Sequence, residues 1–118
     1  MTEKEFTEIY EKLLELTKGR ALEWKDMGNQ NYELNFPRSS VTLYASESPD
    51  DVVMNVLNED GLLIATNSLF YDEDRRVRRF DLDTSELYNV IQSQMYKYSE
   101  TAKDILAELK KLRRNNVP

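Results

Sequence analysis

The side chains of this sequence that could do chemistry are carboxylates, arginines and tyrosines, because it contains neither cysteine nor histidine. Their absence removes thiolate nucleophiles, imidazole acid–base relays, disulfides and His–Cys zinc sites. The remaining residues assemble no glycine-rich phosphate loop and no pair of nucleophile and base. The composition therefore predicts a binding protein that is not an enzyme and that needs no cofactor.

Five carboxylates in the second half of the chain form the first candidate site. Asp72, Glu73, Asp74, Asp81 and Asp83 could surround a hard cation, which prefers oxygen ligands. Their spacing is not that of an EF-hand loop, and the glycine of that loop is missing. We expect the first three to pair across a hairpin with the arginines that follow, and Asp83 to cap a helix. No metal site is predicted.

Glu23 and Lys25 flank Trp24 with the Glu-x-Lys spacing seen in restriction-type nucleases. That metal site also needs an aspartate earlier in the chain, and no aspartate precedes Glu23. In a strand, alternation instead turns Trp24 inward and both charged side chains towards solvent. No catalytic residue is predicted here.

An Arg-Arg-Val-Arg-Arg run is the next candidate. Its arginines, with the basic end of the C-terminal helix, could contact nucleic-acid phosphates; they are Arg75, Arg76, Arg78 and Arg79. The chain as a whole is acidic, however, with a formal net charge of −6, and acidic residues flank the run on both sides. We interpret the run as a solvated edge strand that its charges protect from pairing. A nucleic-acid-binding regulator is the alternative function.

Glutamates are concentrated on the first predicted helix, most of them away from its apolar stripe. A dense acidic face can occupy a basic groove on another protein, although a solvated helix face has a similar composition. An exposed tyrosine on the last helix is a second candidate contact, since tyrosine is enriched at interfaces. The predicted partner-binding residues are Glu3, Glu8, Glu11, Glu15 and Tyr96.

The first helix spans residues 2–18, where apolar side chains recur at helical gaps. Those residues are Phe6, Ile9, Leu13 and Leu16. Thr2 and Glu5 form a capping box at its start. Gly19 suits the left-handed position that follows the last turn.

From Arg20 to about Leu69 the apolar period changes to two, which predicts strands. The inward positions are Leu22 and Trp24, then Tyr32, Leu34 and Phe36, then Val41, Leu43 and Ala45. Turn-forming residues interrupt them at 27–31, 37–40 and 46–51. A hairpin of Val52–Leu57 and Leu62–Thr66 turns at Gly61, and residues 75–82 are predicted as a sixth, edge strand.

A long helix is predicted from Asp83 onwards, with Glu86 completing a capping box. Its apolar residues form a heptad seam made of Ile91, Met95, Tyr98, Ala102, Ile105, Leu109 and Leu112. The helix would run about 43 Å, whereas a compact domain of this length is about 35 Å across. It should therefore overhang. We predict a homodimer that buries Ile105, Leu109 and Leu112 across a twofold axis. In the alternative, the first helix packs antiparallel against this end and buries the seam internally.

Together these patterns predict one α+β domain, residues 1–118. It has two layers: an N-terminal helix and a long C-terminal helix over one face of a five- to six-stranded, mostly antiparallel meander sheet. The start of the chain and the lack of a long apolar run indicate a cytoplasmic protein without a membrane partner. The predicted function is non-enzymatic protein binding. By analogy of size, charge and layout, we expect a small acidic inhibitor or adaptor of the immunity, antitoxin or phage counter-defence kind, which occupies a basic partner surface.

Overall fold

The computed structural model describes residues 1–46, 51–69 and 75–115. It has the predicted α+β architecture, with three helices and a six-stranded sheet. In chain order the elements are α1 (Glu3–Lys18), β1 (Lys25–Asp26), β2 (Tyr32–Phe36), β3 (Ser39–Ala45), β4 (Val52–Leu57), β5 (Leu63–Thr66), β6 (Arg78–Arg79), α2 (Ser85–Met95) and α3 (Tyr98–Asn115).

The start of α1 is the predicted capping box. The backbone N–H of Glu5 donates to Thr2 Oγ1 at 3.1 Å, and the backbone N–H of Thr2 donates to Glu5 Oε1 at 2.9 Å. Two of the helix's otherwise unpaired N–H groups are thereby satisfied. The hydrogen bond from the Thr2 N–H favours the ionised carboxylate and, together with the Thr2 side chain, lowers the pKa of Glu5.

The end of α1 differs from the prediction by one residue. Gly19 has φ −78°, and the left-handed residue is Arg20, with φ 58°. The N–H of Arg20 donates to the Thr17 carbonyl at 3.0 Å, and the next N–H donates to the Leu16 carbonyl at 2.9 Å. These bonds complete a Schellman motif in which an arginine takes the position that usually favours glycine.

The sheet is ordered β1-β2-β3-β4-β5-β6, and its first five strands form an antiparallel meander. Pro37 and Arg38 form the two-residue turn between β2 and β3. The β4–β5 turn contains Gly61 at φ 76°, as predicted. Asn58 stabilises this turn because its Oδ1 accepts from the backbone N–H of Leu62 at 3.1 Å.

The first edge strand is shorter than predicted. Only Lys25–Asp26 pairs with β2, and Leu22 and Trp24 precede it. Trp24 is buried nonetheless, because its indole N–H donates to Thr17 Oγ1 at 3.0 Å and thus joins α1. Glu23 and Lys25 on either side are exposed, as the alternation predicted.

The second edge strand, β6, is shorter than the predicted strand 75–82. It has two residues and pairs parallel with β5, with Ala65 opposite Arg78 and Thr66 opposite Arg79. A parallel neighbour requires a crossover between the two strands. The expected pairing of Asp72, Glu73 and Asp74 with the arginines lies outside the described residues.

One face of the sheet is covered by α1 and α2, which contact each other. The fully buried side chains include Phe6 from α1, Leu87 and Ile91 from α2, and Tyr32, Leu43 and Met54 from the sheet. Lys18 of α1 forms an ion pair of 2.7 Å with Glu86 of α2. Glu86 was predicted to complete a capping box at the start of the last helix. In the described structure its carboxylate instead forms this ion pair between α1 and α2.

The start of α2 is fixed by hydrogen bonds to the sheet. Asn67 Nδ2 donates to the carbonyls of Val52 at 3.0 Å and Leu82 at 2.7 Å, and Asn67 Oδ1 accepts from the Met54 N–H at 2.8 Å. Thr84, the N-cap residue, donates from its hydroxyl to the Val52 carbonyl at 2.9 Å. Buried polar groups around the helix start are thereby satisfied.

Asp83 acts as the predicted cap in part. Its Oδ1 accepts from the backbone N–H of Ser85 at 2.9 Å and from the Ser85 hydroxyl at 2.6 Å. These hydrogen bonds lower the pKa of the carboxyl group. The N-cap position itself belongs to Thr84, one residue later than expected.

The second face of the sheet has a polar row that crosses all six strands. Strand pairing aligns, from edge to edge, Lys25, Glu33, Thr42, Asn55, Thr66 and Arg79. Thr66 donates from its hydroxyl to Asn55 Oδ1 at 2.7 Å. Side chains alternate between the faces of a strand, so this row lies opposite the core residues. Neither α1 nor α2 covers it.

The predicted long helix is interrupted, which corrects its continuous heptad seam. Lys97, between α2 and α3, has a left-handed φ of 54°. The preceding Tyr96 is tied to the sheet, because its hydroxyl lies 2.8 Å from the Tyr32 hydroxyl. The seam is therefore divided: Ile91 is buried in the core, whereas Tyr98 is 54% exposed.

The last helix projects from the rest of the molecule, although it is α3 alone and not the single long helix that the sequence predicted. The extents are 72 × 30 × 25 Å, and the radius of gyration is 18.6 Å, against about 13–14 Å for a compact chain of this length. The alternative in which α1 buries the seam is wrong, since Ile105, Leu109 and Leu112 are 54–57% exposed. None of the described helices is long and apolar enough to span a bilayer.

We expect Arg20→Gly to raise the free energy of unfolding by about 1 kcal/mol, because glycine adopts the left-handed conformation without steric cost. The exposed Arg20–Glu100 pair, at 3.6 Å, adds little to stability. Urea denaturation measures the change.

Two glycine variants serve as controls. Gly19→Ala should be neutral or slightly stabilising, since an added Cβ would lie 3.6 Å or more from other atoms. Gly61→Ala should destabilise, since its φ is positive. A loss of stability in Arg20→Gly would contradict our account of this helix end.

Candidate interaction surfaces

The largest unpartnered feature of the described chain is one side of α3, which we call the apolar stripe. It consists of Tyr98, Ala102, Ile105, Leu109 and Leu112, with Leu106 beside it. Every described side chain of α3 is exposed, and Leu106 and Leu112 are 56% and 57% exposed. Charged side chains occupy the other sides of the helix, so α3 is amphipathic. Among the described residues, Tyr98 contacts the ring of Tyr96, whereas Ile105, Leu109 and Leu112 remain more than half exposed. Contiguous exposed apolar surface of this kind makes the stripe a candidate interaction surface.

The acidic residues of α1 lie where the sequence predicted. Glu8, Glu11 and Glu15 project from the side of the helix opposite buried Phe6 and Tyr10. Glu3 is exposed in the first turn, where negative charge favours the helix dipole. The surface is not uniformly negative, because Lys12 Nζ lies 3.2 Å from Glu15 Oε2.

An apolar groove runs beside this acidic surface, between α1 and the β2–β3 hairpin. It encloses about 300 Å³, and its lining includes Ile9, Leu16, Leu22, Phe36 and Val41. Leu16 and Phe36 are 42% and 44% exposed. The sequence pattern predicted both as inward residues. Leu16 lies near the end of α1 and Phe36 at the end of β2, where the helix layer and the sheet no longer cover each other.

Tyrosines form a cluster where α2, α3 and the sheet meet. The rings of Tyr32 and Tyr88 lie 5.5 Å apart, and those of Tyr96 and Tyr98 lie 5.9 Å apart. The Tyr32–Tyr96 hydrogen bond joins the two pairs. Within the described residues, Tyr96 thus contacts other tyrosines. In this part of the chain it does not contact the glutamates of α1, with which it was predicted to form the partner-binding surface. The chain positions of these tyrosines gave no signal of their proximity.

The arginine run is divided between packed and exposed side chains. Arg79 donates from Nε to the Ser68 carbonyl at 2.9 Å and pairs with Asp81 at 2.7 Å. Arg76 donates from Nε to the Leu63 carbonyl at 3.2 Å, and Arg78 donates to the Arg75 carbonyl at 2.5 Å. The side chain of Arg79 is 24% exposed, whereas Arg75 and Arg78 are exposed residues. The run therefore stabilises the crossover and the edge strand.

The two candidate cation ligands among the described residues, Asp81 and Asp83, have other partners. Asp81 pairs with Arg79, and Asp83 caps α2. Among the described residues, no group of three or more carboxylates could hold a metal ion. Asp72, Glu73 and Asp74 lie outside the described residues.

The tyrosine cluster generates an expected pH dependence. Burial raises the pKa of the phenols of Tyr10, Tyr32 and Tyr88, and the hydrogen bond with Tyr96 raises that of Tyr32 further. A raised pKa means that the folded state favours the neutral phenol, so its stabilising contribution is lost as pH rises above about 10. The chain has no histidine or cysteine, so the free energy of unfolding should be nearly constant between about pH 6 and 9.

Tyr32→Phe tests this expectation. The variant should be less stable at pH 7 by about 1 kcal/mol, because the hydrogen bond to Tyr96 is lost, but its stability should fall less between pH 9 and 11. Chemical denaturation at a series of pH values measures both effects. An alkaline loss equal to that of the unmodified protein would show that Tyr32 does not contribute to it.

No known protein family matches the chain, and no curated protein or solved structure is significantly similar to it.

Proposed function

We propose that this protein is a non-enzymatic protein-binding module, a small cytoplasmic inhibitor or adaptor of the immunity, antitoxin or phage counter-defence kind. The observation that carries the proposal is the apolar stripe of α3. A helix with large aliphatic side chains exposed along one side gains stability when another surface covers it. Each of Ile105, Leu109 and Leu112 is little more than half exposed, so covering it would contribute about 1 kcal/mol.

The proposed occupant of the apolar stripe is a second copy of the chain. A twofold axis beside α3 would bring the same side chains of both copies together, so one exposed surface satisfies both copies. Self-association also removes three neighbouring exposed aliphatics, which would otherwise favour non-specific association. The protein is thus proposed to act as a homodimer.

The surface proposed for the inhibited or recruited partner is on α1. Glu3, Glu8, Glu11 and Glu15 supply negative charge, and the groove lined by Leu16 and Phe36 supplies adjoining apolar area. A basic partner surface with an apolar centre would complement this combination. Tyr96, which is 39% exposed, is proposed as a further contact.

A nucleic-acid-binding regulator is the alternative, and the exposed arginines Arg75, Arg76 and Arg78 favour it. It is weaker, because Arg76, Arg78 and Arg79 each donate to a backbone carbonyl. DNA or RNA binding that weakens steeply with salt would favour the alternative.

Leu109→Asp should convert the proposed dimer to a monomer, because it places a charge in the centre of the apolar stripe. Light scattering at micromolar concentrations should give about twice the chain mass of 13.9 kDa for the unmodified protein and a single chain mass for the variant. Ala107→Asp is the matched control, since it puts the same side chain on the opposite side of α3 and should leave the dimer intact.

A mass of 13.9 kDa at every concentration of the unmodified protein would contradict the dimer. A dimer that survives Leu109→Asp would show that another surface is used.

Reversing the charge of α1 should release the partner. Co-purification from the native host should recover a basic protein with the unmodified chain and lose it with Glu8→Lys/Glu11→Lys. The control Glu59→Lys/Asp60→Lys reverses two charges in the β4–β5 turn, so both variants have the same net charge. A partner retained by both variants, or recovery of abundant housekeeping enzymes alone, would contradict the proposed surface.

A further inference from the structure

The flanks of the apolar stripe have opposite charges at heptad positions that can face each other. In heptad notation the stripe supplies the a and d positions, which are Tyr98, Ala102, Ile105, Leu109 and Leu112. Glu108 then falls at a g position and Arg113 at an e position. In a parallel pair of helices, a g residue faces the e residue of the following heptad on the other helix. Glu108 of each copy would therefore face Arg113 of the other.

We propose that two α3 helices associate parallel and in register, with Glu108 of each copy paired with Arg113 of the second copy. The inference rests on the proposed self-association and adds its orientation. Both residues are exposed in the single chain, where Glu108 pairs with Lys111 at 3.2 Å. The Glu108 and Lys111 side chains are each 70% exposed. Such a solvated pair is weak, so Glu108 can exchange it for Arg113 of the second copy.

The folded body leaves the apolar stripe accessible for a parallel arrangement. Glu100, at an f position on the side of α3 away from the stripe, lies 3.6 Å from Arg20 at the end of α1. The end of α1 therefore adjoins the outer side of α3. Two copies with their bodies at the same end of the helix pair would each have α1 on the outside.

An antiparallel pair of α3 helices would bury the apolar stripe and pair its flanking charges less completely. One register that interleaves the a and d positions pairs Ala102 with Leu112, and it places Glu108 beside Glu108 of the second copy. The other pairs Ala102 with Ile105, and it moves Leu112 beyond the overlap towards the body. Like charges or an uncovered leucine disfavour each register.

Disulfide crosslinking tests the orientation, because the chain has no cysteine of its own. Ala102→Cys and Leu112→Cys mark the two ends of the apolar stripe. In the parallel arrangement each variant should form disulfide-linked dimers with itself, because identical residues meet across the axis. In the antiparallel registers neither position meets itself. The register that pairs Ala102 with Leu112 would crosslink only Ala102→Cys to Leu112→Cys chains in a mixture, and the register that pairs Ala102 with Ile105 would give a dimer without either crosslink. Either result would exclude the parallel arrangement.

Charge reversal supplies a second readout. Glu108→Arg should raise the dissociation constant of the dimer by about fivefold to tenfold, because two pairs become repulsive. Glu108→Arg/Arg113→Glu should restore it. Mixed crosslinks alone, or no effect of Glu108→Arg on a dimer confirmed by light scattering, would overturn the parallel orientation and leave the self-association standing. A mass of one chain and no crosslink at either position would instead overturn the self-association itself.

Discussion

The apolar face of the sheet has room for two helices, and that constraint decides the shape of the molecule. Phe6 and Leu13 of α1 and Leu87 and Ile91 of α2 fill the space above the inward strand residues. Met95, at the end of α2, is already only partly buried. The hydrophobic core is therefore complete before α3 begins. The helix that follows has apolar residues, and within residues 1–46, 51–69 and 75–115 no surface buries them.

The ends of α2 determine where α3 leaves the core. Hydrogen bonds from Asn67 and Thr84 to the Val52 carbonyl fix its start. At its end, Gln94 donates to the Thr17 carbonyl at 2.7 Å, and Tyr96 bonds Tyr32. A left-handed conformation at Lys97 costs about 1–2 kcal/mol. Lys97 directly follows Tyr96, whose hydroxyl is bonded to that of Tyr32, so the chain turns away immediately after its last contact with the sheet.

Charge in this protein has different uses on different elements. Arg79 and Asp81 stabilise an edge strand, Asp83 caps a helix, and Lys18 joins Glu86 between the two helices. The glutamates on the outer side of α1 and the flanks of α3 lie on the surface, and Arg75 and Arg78 are exposed at the crossover. The surfaces proposed for binding lie on α1 and α3. The opposite side of α1 packs on the core, and the turn before α3 is held by Tyr96, so both surfaces have a defined shape before a partner binds.

The sequence alone determined the class of the fold, the limits of α1, the meander and the Gly61 turn, because each depends on local periodicity or on a few adjacent residues. It also indicated that the C-terminal helical segment would overhang, although the single long helix behind that prediction is broken at Lys97. Tertiary structure decided what depends on distant residues. Tyr32 and Tyr96 are far apart in the chain, and their contact accompanies a break in a heptad pattern that is continuous in the sequence. The parallel pairing of β6 with β5 and the packing of Arg79 likewise depend on the path of the crossover. Periodic patterns predict neither this strand pairing nor the packing of Arg79. A pattern shows which side of an element is apolar, but it does not show which other element will cover that side.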